Sequence, residues 1–145
     1  MAILSVSQLN RYVGFKLKED RALQGILVRG EITNFTNHYR SGHLYFTLRD
    51  AESCVKAVMF RSNAQRLRFT PREGMNVIAA ATASLYERDG AFQLYVTDLQ
   101  PDGAGTQALA LEQLKKKLTA MGVFDAAAKR PLPAMPQKIG VITSD

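Results

Sequence analysis

Residues able to carry out catalysis are few and scattered in this 145-residue sequence. His38 and His43 have no cysteine or histidine partners at zinc spacing. The acidic residues are dispersed among predicted turns and strand ends, whereas metal-assisted phosphodiester cleavage needs carboxylates or histidines that converge. Cys54 has no neighbouring acid–base pair, and Asp102-Gly103-Ala104-Gly105 is a weak match to a phosphate-binding loop. The sequence therefore predicts no catalytic centre, metal site or cofactor in this segment.

Binding chemistry is better represented, in the stretch from Gly30 to Arg61, where three successive strands are predicted. Side chains alternate along a strand, so the middle strand has one apolar face and one face that carries His43 and Tyr45. The apolar face consists of Leu44, Phe46 and Leu48. This pattern predicts a core on one side of the strand and an exposed aromatic surface on the other.

The third predicted strand alternates in the same way. Met59 belongs to the set expected in the core, and Lys56, Val58 and Phe60 belong to the other set. Lysine is seldom fully buried, so its presence indicates that the second set faces outward. Phe60 is therefore expected to be exposed unless another part of the protein covers it.

Basic residues outnumber acidic ones around these strands. Between Asn37 and Arg72 there are seven basic residues and two acidic ones, Asp50 and Glu52. The basic residues are Arg40, Arg49, Lys56, Arg61, Arg66, Arg68 and Arg72. This excess, within a net charge of +6, favours a polyanionic partner, although a merely solvated basic face fits the same count.

Six residues are predicted to contact nucleic acid: Arg40, His43, Tyr45, Lys56, Phe60 and Arg61. Tyr45 and Phe60 would offer flat faces to bases, and the three long basic side chains would neutralise phosphates. His43 could stack on a base or contact phosphate. Each ring also has a structural alternative: His43 hydrogen-bonded to the preceding loop, Tyr45 shielded beneath a loop, and Phe60 against the N-terminal helix or another domain.

An amphipathic helix is predicted at the start of the chain. Ser5 and Gln8 have the spacing of a capping box. The apolar face of the helix is expected to pack on the rest of the protein. It consists of Val6, Leu9, Val13 and Leu17.

Strand periodicity begins at about Leu23, and Gly30 is expected to mark a bulge or a sharp bend in the first strand. A short helical connection is predicted over residues 62–69. Two further strands, residues 76–86 and 92–99, are predicted to form a hairpin across Asp89-Gly90. Five strands with this helix between the third and fourth predict a mainly β fold, a five-stranded oligonucleotide-binding (OB) barrel whose second and third strands face the ligand.

Composition limits the class of protein. The chain is 46% hydrophobic and 22% charged, as in ordinary globular proteins. Its apolar runs are short and interrupted by charge, so no membrane association is expected. The single cysteine and the absence of a basic, then apolar, leader predict a reducing, cytoplasmic location.

The region after the barrel is predicted as a helix from about Thr106 with Gly122 as its C-cap, followed by a proline-rich linker. From Lys138 the sequence reads as a buried parallel strand, which indicates the beginning of an α/β domain. The predicted division is therefore a helix and barrel over 1–102, a helix and linker over 103–137, and a first strand over 138–145.

Six motifs in this order resemble the large subunits of bacterial exodeoxyribonuclease VII. They are Val6-Ser7-Gln8-Leu9-Asn10-Arg11-Tyr12, Gly30-Glu31-Ile32-Thr33-Asn34, Ser41-Gly42-His43-Leu44-Tyr45-Phe46-Thr47-Leu48-Arg49-Asp50, Val58-Met59-Phe60-Arg61, Gly122-Val123-Phe124-Asp125, and Lys129-Arg130-Pro131-Leu132-Pro133 leading into Ile139-Gly140-Val141-Ile142-Thr143-Ser144. The resemblance covers nearly the whole chain. It implies an N-terminal domain that binds single-stranded DNA, followed by the first strand of a nuclease domain.

The resemblance also implies what lies outside this segment. The family's enzyme hydrolyses single-stranded DNA to oligonucleotides, its catalytic residues lie beyond Asp145, and its small subunit joins through regions beyond this chain. The segment alone is then expected to bind DNA and not to cleave it, and the metal requirement of the nuclease domain stays open. Two alternatives are an RNA- or tRNA-binding OB module and a structural gating module that binds nucleic acid weakly.

Overall fold

Five strands close into a barrel in the computed structural model, which describes residues 3–125, 127, 129, 135 and 138–143. The elements are α1 (Val6–Glu19), a 3-10 turn (Arg21–Leu23), β1 (Ile26–Asn37), β2 (Leu44–Arg49), β3 (Cys54–Met59), α2 (Arg61–Ala64), β4 (Asn76–Tyr86), β5 (Ala91–Pro101) and α3 (Ala104–Ala120). The strands are arranged in the order β1-β2-β3-β5-β4, with β3 and β5 parallel and the other neighbours antiparallel. The predicted fold class, a five-stranded barrel with flanking helices, is confirmed.

The first strand closes the barrel because it pairs with two partners in turn. Its first half pairs with β4 as far as Glu31, and its second half pairs with β2 from Glu31 onward. Gly30 lies at this change of partner, where an added Cβ would come within 3.1 Å of the Arg49 carbonyl oxygen. A side chain there would push β2 away, so the glycine allows the close approach of the two backbones.

The bulge in β1 lies beyond Gly30, in the register shift between Thr33 and Thr36. Asn34 adopts a positive φ of 53° there. The Glu73 carboxylate accepts hydrogen bonds from the backbone N–H groups of Asn34 and Phe35, at 3.0 and 2.8 Å. These bonds satisfy the donors that the bulge removes from the strand ladder.

The barrel interior confirms the predicted division of the two central strands. Leu44, Phe46, Leu48 and Met59 are all buried, with Met59 fully inaccessible to solvent. The opposite wall is built from small side chains of β4, which leave room for the larger ones of β2 and β3. They are Ala79, Ala81 and Ala83, each at most 1% exposed.

The N-terminal helix begins as predicted but packs differently. Ser5 and Gln8 form both hydrogen bonds of the capping box, at 3.2 and 2.8 Å. The expected apolar face is wrong as a packing surface: Val6 is 77% exposed and Leu9 is 50% exposed. Val13 is also exposed and Leu17 is half-buried.

The helix instead contacts the β4–β5 hairpin through its polar and small residues. Gly14 is the buried residue of α1, and a Cβ there would meet Leu85 and Glu87. Asn10 donates a hydrogen bond to the Glu87 carbonyl oxygen at 2.9 Å. The contact is therefore made by a glycine and a polar side chain, which a search for apolar periodicity does not detect.

Two turns fix the register of the hairpins. In the β2–β3 turn, Asp50 Oδ1 accepts the N–H groups of Glu52 and Ser53 at 2.9 and 2.7 Å. These backbone hydrogen bonds hold the pKa of the Asp50 carboxyl below its ordinary value, because they stabilise the ionised form. In the β4–β5 turn, Gly90 takes a φ of +64°, as expected for the predicted Asp-Gly turn.

The connection after β3 is less helical than expected. The helix α2 spans Arg61–Ala64 only, and the rest of the predicted 62–69 helix is irregular. The start of α3 is held against the barrel: Thr106 is buried and its hydroxyl accepts the Asn76 N–H at 3.3 Å. The first compact unit accordingly extends to Leu114.

The second compact unit begins at Lys115. Gly122 ends α3 with a φ of +72°, as predicted, and its N–H donates to the Thr119 carbonyl. Most of the predicted linker lies outside the described residues. Residues 138–143 are described without strand structure, and their assignment to a following domain stays a prediction. Among the described helices, none has the length and apolarity needed to cross a membrane.

Candidate nucleic-acid interface

The outer face of β2, β3 and β5 is built from two rows of paired residues. Strand register places Tyr45 beside Val58 and Val58 beside Tyr95. Two residues away, Lys56 lies between Thr47 and Gln93 in the same manner. Because side chains alternate, these residues point away from the buried Phe46, Ala57 and Leu94.

Four rings on this face form what we call the aromatic cluster: His43, Tyr45, Phe60 and Tyr95. The Phe60 and Tyr95 rings stack, with centroids 5.7 Å apart and planes 17° from parallel. His43 lies edge-on to Phe60 at 5.2 Å and to Tyr45 at 6.4 Å. Tyr45 and Phe60 each remain 44% exposed, so the cluster presents aromatic surface to solvent although its members support one another.

His43 holds the corner between β2 and α2. Its Nδ1 accepts a hydrogen bond from the Arg61 N–H at 3.1 Å, which assigns the proton of the neutral ring to Nε2. The preceding loop is closed by bonds from the His38 N–H to the His43 carbonyl, at 3.0 Å, and from the Gly42 N–H to the His38 carbonyl, at 2.7 Å. His43 is thus both a ring of the aromatic cluster and a residue hydrogen-bonded to the neighbouring backbone.

Val58 differs from its expected environment. It shares the outward direction of Lys56 and Phe60, as predicted, but is only 5% exposed. Its neighbours across the strands are Tyr45 and Tyr95, whose large rings flank the smaller side chain. The prediction of outward direction is confirmed, and the prediction that the whole set is solvent-exposed is wrong at this position.

The predicted cations lie on the elements that carry or adjoin the aromatic cluster. Lys56 is exposed on the outer face, Arg40 is exposed in the β1–β2 loop, and Arg61 is the first residue of α2. None of these three forms an ion pair with another residue that the structure describes. The side chain of Arg61 passes close to Gly42 and lines a cavity of about 470 Å³ together with Tyr39. The charges of Arg40, Lys56 and Arg61 are therefore available to an anionic ligand.

Sequence reasoning missed two aromatic residues of this surface. Tyr95 is in β5, and the alternation of the buried Leu94 and Val96 could have shown that it points outward. Its position beside Phe60 follows only from the parallel pairing of β3 and β5. Tyr39 is 99% exposed at the β1–β2 loop, where no periodicity marks it.

Within the described part of the chain, no cluster of three or more histidine, cysteine, aspartate or glutamate residues could hold a metal ion. Cys54 is exposed at the start of β3, opposite Arg49. Arg49 is itself paired with Glu31 at 3.7 Å.

Residues 4–100, which contain the whole barrel except the end of β5, match a family described as the OB-fold nucleic acid binding domain. The chain belongs to this OB-fold family. Residues 4–100 are therefore an OB-fold nucleic acid binding domain. In OB folds generally, the second and third strands face the ligand. The fold predicted from strand count and turn signals is confirmed at the family level.

Curated relatives match the OB-fold domain and the segment after it. The chain is 54% identical over 142 residues to the exodeoxyribonuclease 7 large subunit of Brevibacillus brevis, covering 98% of this chain and 31% of that protein. It is 48% identical over 142 residues to the same subunit of Ruminiclostridium cellulolyticum, covering 98% of this chain and 35% of that protein. The resemblance drawn from the six motifs is confirmed, and the chain spans about a third of the length of these relatives.

The chain was also compared with solved structures. One chain of a replication protein A heterotrimer bound to single-stranded DNA is 12% identical, with a TM-score of 0.42, and the match covers 64% of this chain and 70% of that one. This likeness is too low to bear on function.

Proposed function

We propose that the outer face of β2, β3 and β5 binds single-stranded DNA without sequence preference. The observation that carries this proposal is the aromatic cluster, in which Tyr45 and Phe60 stay 44% exposed while His43 and Tyr95 hold them in place. Every base has a flat π-face, so stacking tolerates any sequence, and it favours strands whose bases are not already paired.

The cations around the cluster supply affinity for phosphates. Arg40, Lys56 and Arg61 have no carboxylate partner among the described residues, so no ion pair has to be broken when a phosphate binds. Each phosphate neutralised on a single strand contributes about 0.7 to the slope of log affinity against log salt concentration. Three such contacts give a slope of about −2.

In the longer proteins that this chain resembles, we propose that the OB-fold domain presents single-stranded DNA to a nuclease domain that hydrolyses it. The relatives are named exodeoxyribonuclease 7 large subunits, and this chain corresponds to about a third of their length. On this proposal the segment itself binds without cleaving. The resemblance adds a small-subunit partner, which would contact regions beyond this chain. The single cysteine favours a reducing, cytoplasmic location, which belongs to the same proposal.

Titration of the 145-residue chain with labelled single-stranded DNA, duplex DNA and single-stranded RNA tests the binding proposal. We expect single-stranded DNA to bind more tightly than duplex. A single strand of about 4 nucleotides should lose affinity roughly 15-fold between 50 and 200 mM salt, as a slope of about −2 requires. Fluorescence anisotropy measures both quantities. A preference for RNA would favour an RNA- or tRNA-binding module, and the absence of salt-sensitive binding to all three would favour a structural gating module.

Arg61→Ala is expected to lower the magnitude of the salt slope by about 0.7 while retaining base stacking. The variant keeps the backbone N–H that His43 accepts, so the corner between β2 and α2 is retained. Arg61→Lys preserves the charge and should keep the parental slope. A parental slope in Arg61→Ala would remove Arg61 from the phosphate contacts.

A further inference from the structure

We propose that the path of the bound single strand continues past the aromatic cluster, over α2, into a basic cavity between β5 and α3. We call this the arginine cavity, because Arg66 and Arg68 are among the residues that line it. The ligand would be the phosphate backbone of the same strand, so this inference rests on the proposed function and extends its footprint.

The arginine cavity is a depression of about 500 Å³ within the first compact unit. Its lining includes the buried Phe69 and Leu99, which belong to the hydrophobic core, and Leu111 of α3. Its helical wall is fixed at Thr70, whose N–H donates to Gln113 Oε1 at 2.8 Å and whose carbonyl accepts from Gln113 Nε2 at 3.4 Å. The cavity is therefore a feature of the packed fold and not a gap beside a loose helix.

The arginine cavity lies on the continuation of the outer face. The chain leaves β3 at Phe60, forms α2 directly, and stays beside β5, where the Asn63 side chain donates to the Val96 carbonyl at 3.5 Å. Along β5, Tyr95 is in the aromatic cluster and Gln100 lines the cavity, a separation of roughly 17 Å at about 3.3 Å per residue. A strand lying along β5 would thus pass from the stacked rings to the two arginines.

The charges of the arginine cavity suit a polyanion but are not uniformly positive. Arg66 and Arg68 are exposed, and neither is ion-paired with a residue in the described ranges. Asp98 also lines the cavity and forms no ion pair with another residue that the structure describes. A phosphate would therefore be attracted by two cations and repelled by one carboxylate, and this opposition allows tests of both signs.

The test compares two lengths of single-stranded DNA, because site sizes of OB folds run from roughly 4 to 16 nucleotides. With an oligonucleotide of about 4 nucleotides, held by the aromatic cluster, Arg66→Ala/Arg68→Ala should bind as the parent does. With one of about 12 nucleotides, the double variant should bind several-fold more weakly, with a salt slope smaller in magnitude by about 1.4, the value for two phosphate contacts. Asp98→Asn should strengthen binding of the longer strand and leave the shorter one unchanged.

Lys18→Ala/Arg21→Ala is the matched control for loss of two positive charges. Both residues precede β1, whose first half pairs with β4 and not with β2 or β3. This control should show the parental salt slope. Arg66→Lys/Arg68→Lys, which keeps both charges, should also show the parental salt slope. Circular dichroism verifies that each variant is folded.

The outcomes separate the two proposals. If the parent binds both lengths and Arg66→Ala/Arg68→Ala keeps the parental affinity and slope for the longer strand, the extended path is overturned and the proposed function stands. An equal loss with both lengths would also overturn the path, because it would show a general effect on binding. If the parent binds neither strand in a salt-sensitive way, both proposals fall.

Discussion

Phe60→Ala is expected to weaken binding of single-stranded DNA by roughly 5- to 150-fold, because base stacking on one aromatic side chain is worth about 1–3 kcal/mol. The salt slope should stay at its parental value, since no charge is lost and the Arg61 backbone that His43 accepts from is unchanged. Anisotropy titrations at several salt concentrations measure the two quantities separately. The variant removes ring surface from the centre of the aromatic cluster, where Phe60 contacts both His43 and Tyr95.

Phe15→Ala is the matched control for Phe60→Ala. Phe15 is 55% exposed on α1, against 44% for Phe60, and α1 packs on the β4 side of the barrel. The Phe15→Ala variant should bind single-stranded DNA as the parent does. If Phe60→Ala lowers affinity and salt slope together, the ring acts by positioning Arg61, and stacking is the wrong explanation.

The sequence alone predicts side-chain direction where one face of a strand meets the core. The fourth strand is predicted over residues 76–86, ahead of the Asp89-Gly90 turn signal, and these are the bounds that the structure has. Alternation along the second and third strands places Phe46 and Met59 inside the barrel, where the structure buries both. Burial decides side-chain direction in such strands, and burial leaves a period of two in the sequence.

The environment of the outer face could be predicted only in part. Direction follows from alternation, but exposure depends on which residues the neighbouring strands bring alongside. Val58 is covered because Tyr45 and Tyr95 lie on either side of it. The second of these neighbours comes from the parallel pairing of β3 with β5, which joins segments distant in sequence and leaves no local pattern.

The N-terminal helix shows a different limit. Its apolar period predicted a packed face, whereas the buried contact is made at Gly14 against the β4–β5 hairpin. A glycine contributes no apolar side chain to the pattern, and hydrophobic periodicity measures only the presence of apolar side chains. The capping box, by contrast, is a local interaction between Ser5 and Gln8 and was predicted correctly.

Met59→Ala is expected to lower the free energy of unfolding by about 2–5 kcal/mol, the usual cost of removing a large buried side chain and leaving a cavity. Met59 is fully buried, and its partner in the β2–β3 pairing is the buried Leu44 of β2. Urea denaturation followed by circular dichroism measures the change. Met121→Ala is the control, because Met121 is 66% exposed at the end of α3 and should change stability by less than about 0.5 kcal/mol.

Met59 ends β3 and Phe60 follows it directly, so the pair tests whether the core side and the outer side of the sheet have separate roles. One side chain lies in the core and the other in the aromatic cluster. Under conditions where it is folded, Met59→Ala should bind single-stranded DNA as the parent does, whereas Phe60→Ala should lose binding with a smaller change in stability. If folded Met59→Ala loses as much affinity as Phe60→Ala, the outer face depends on core packing for its shape. The aromatic cluster would then be one consequence of the barrel's packing and could not be treated as an independent binding surface.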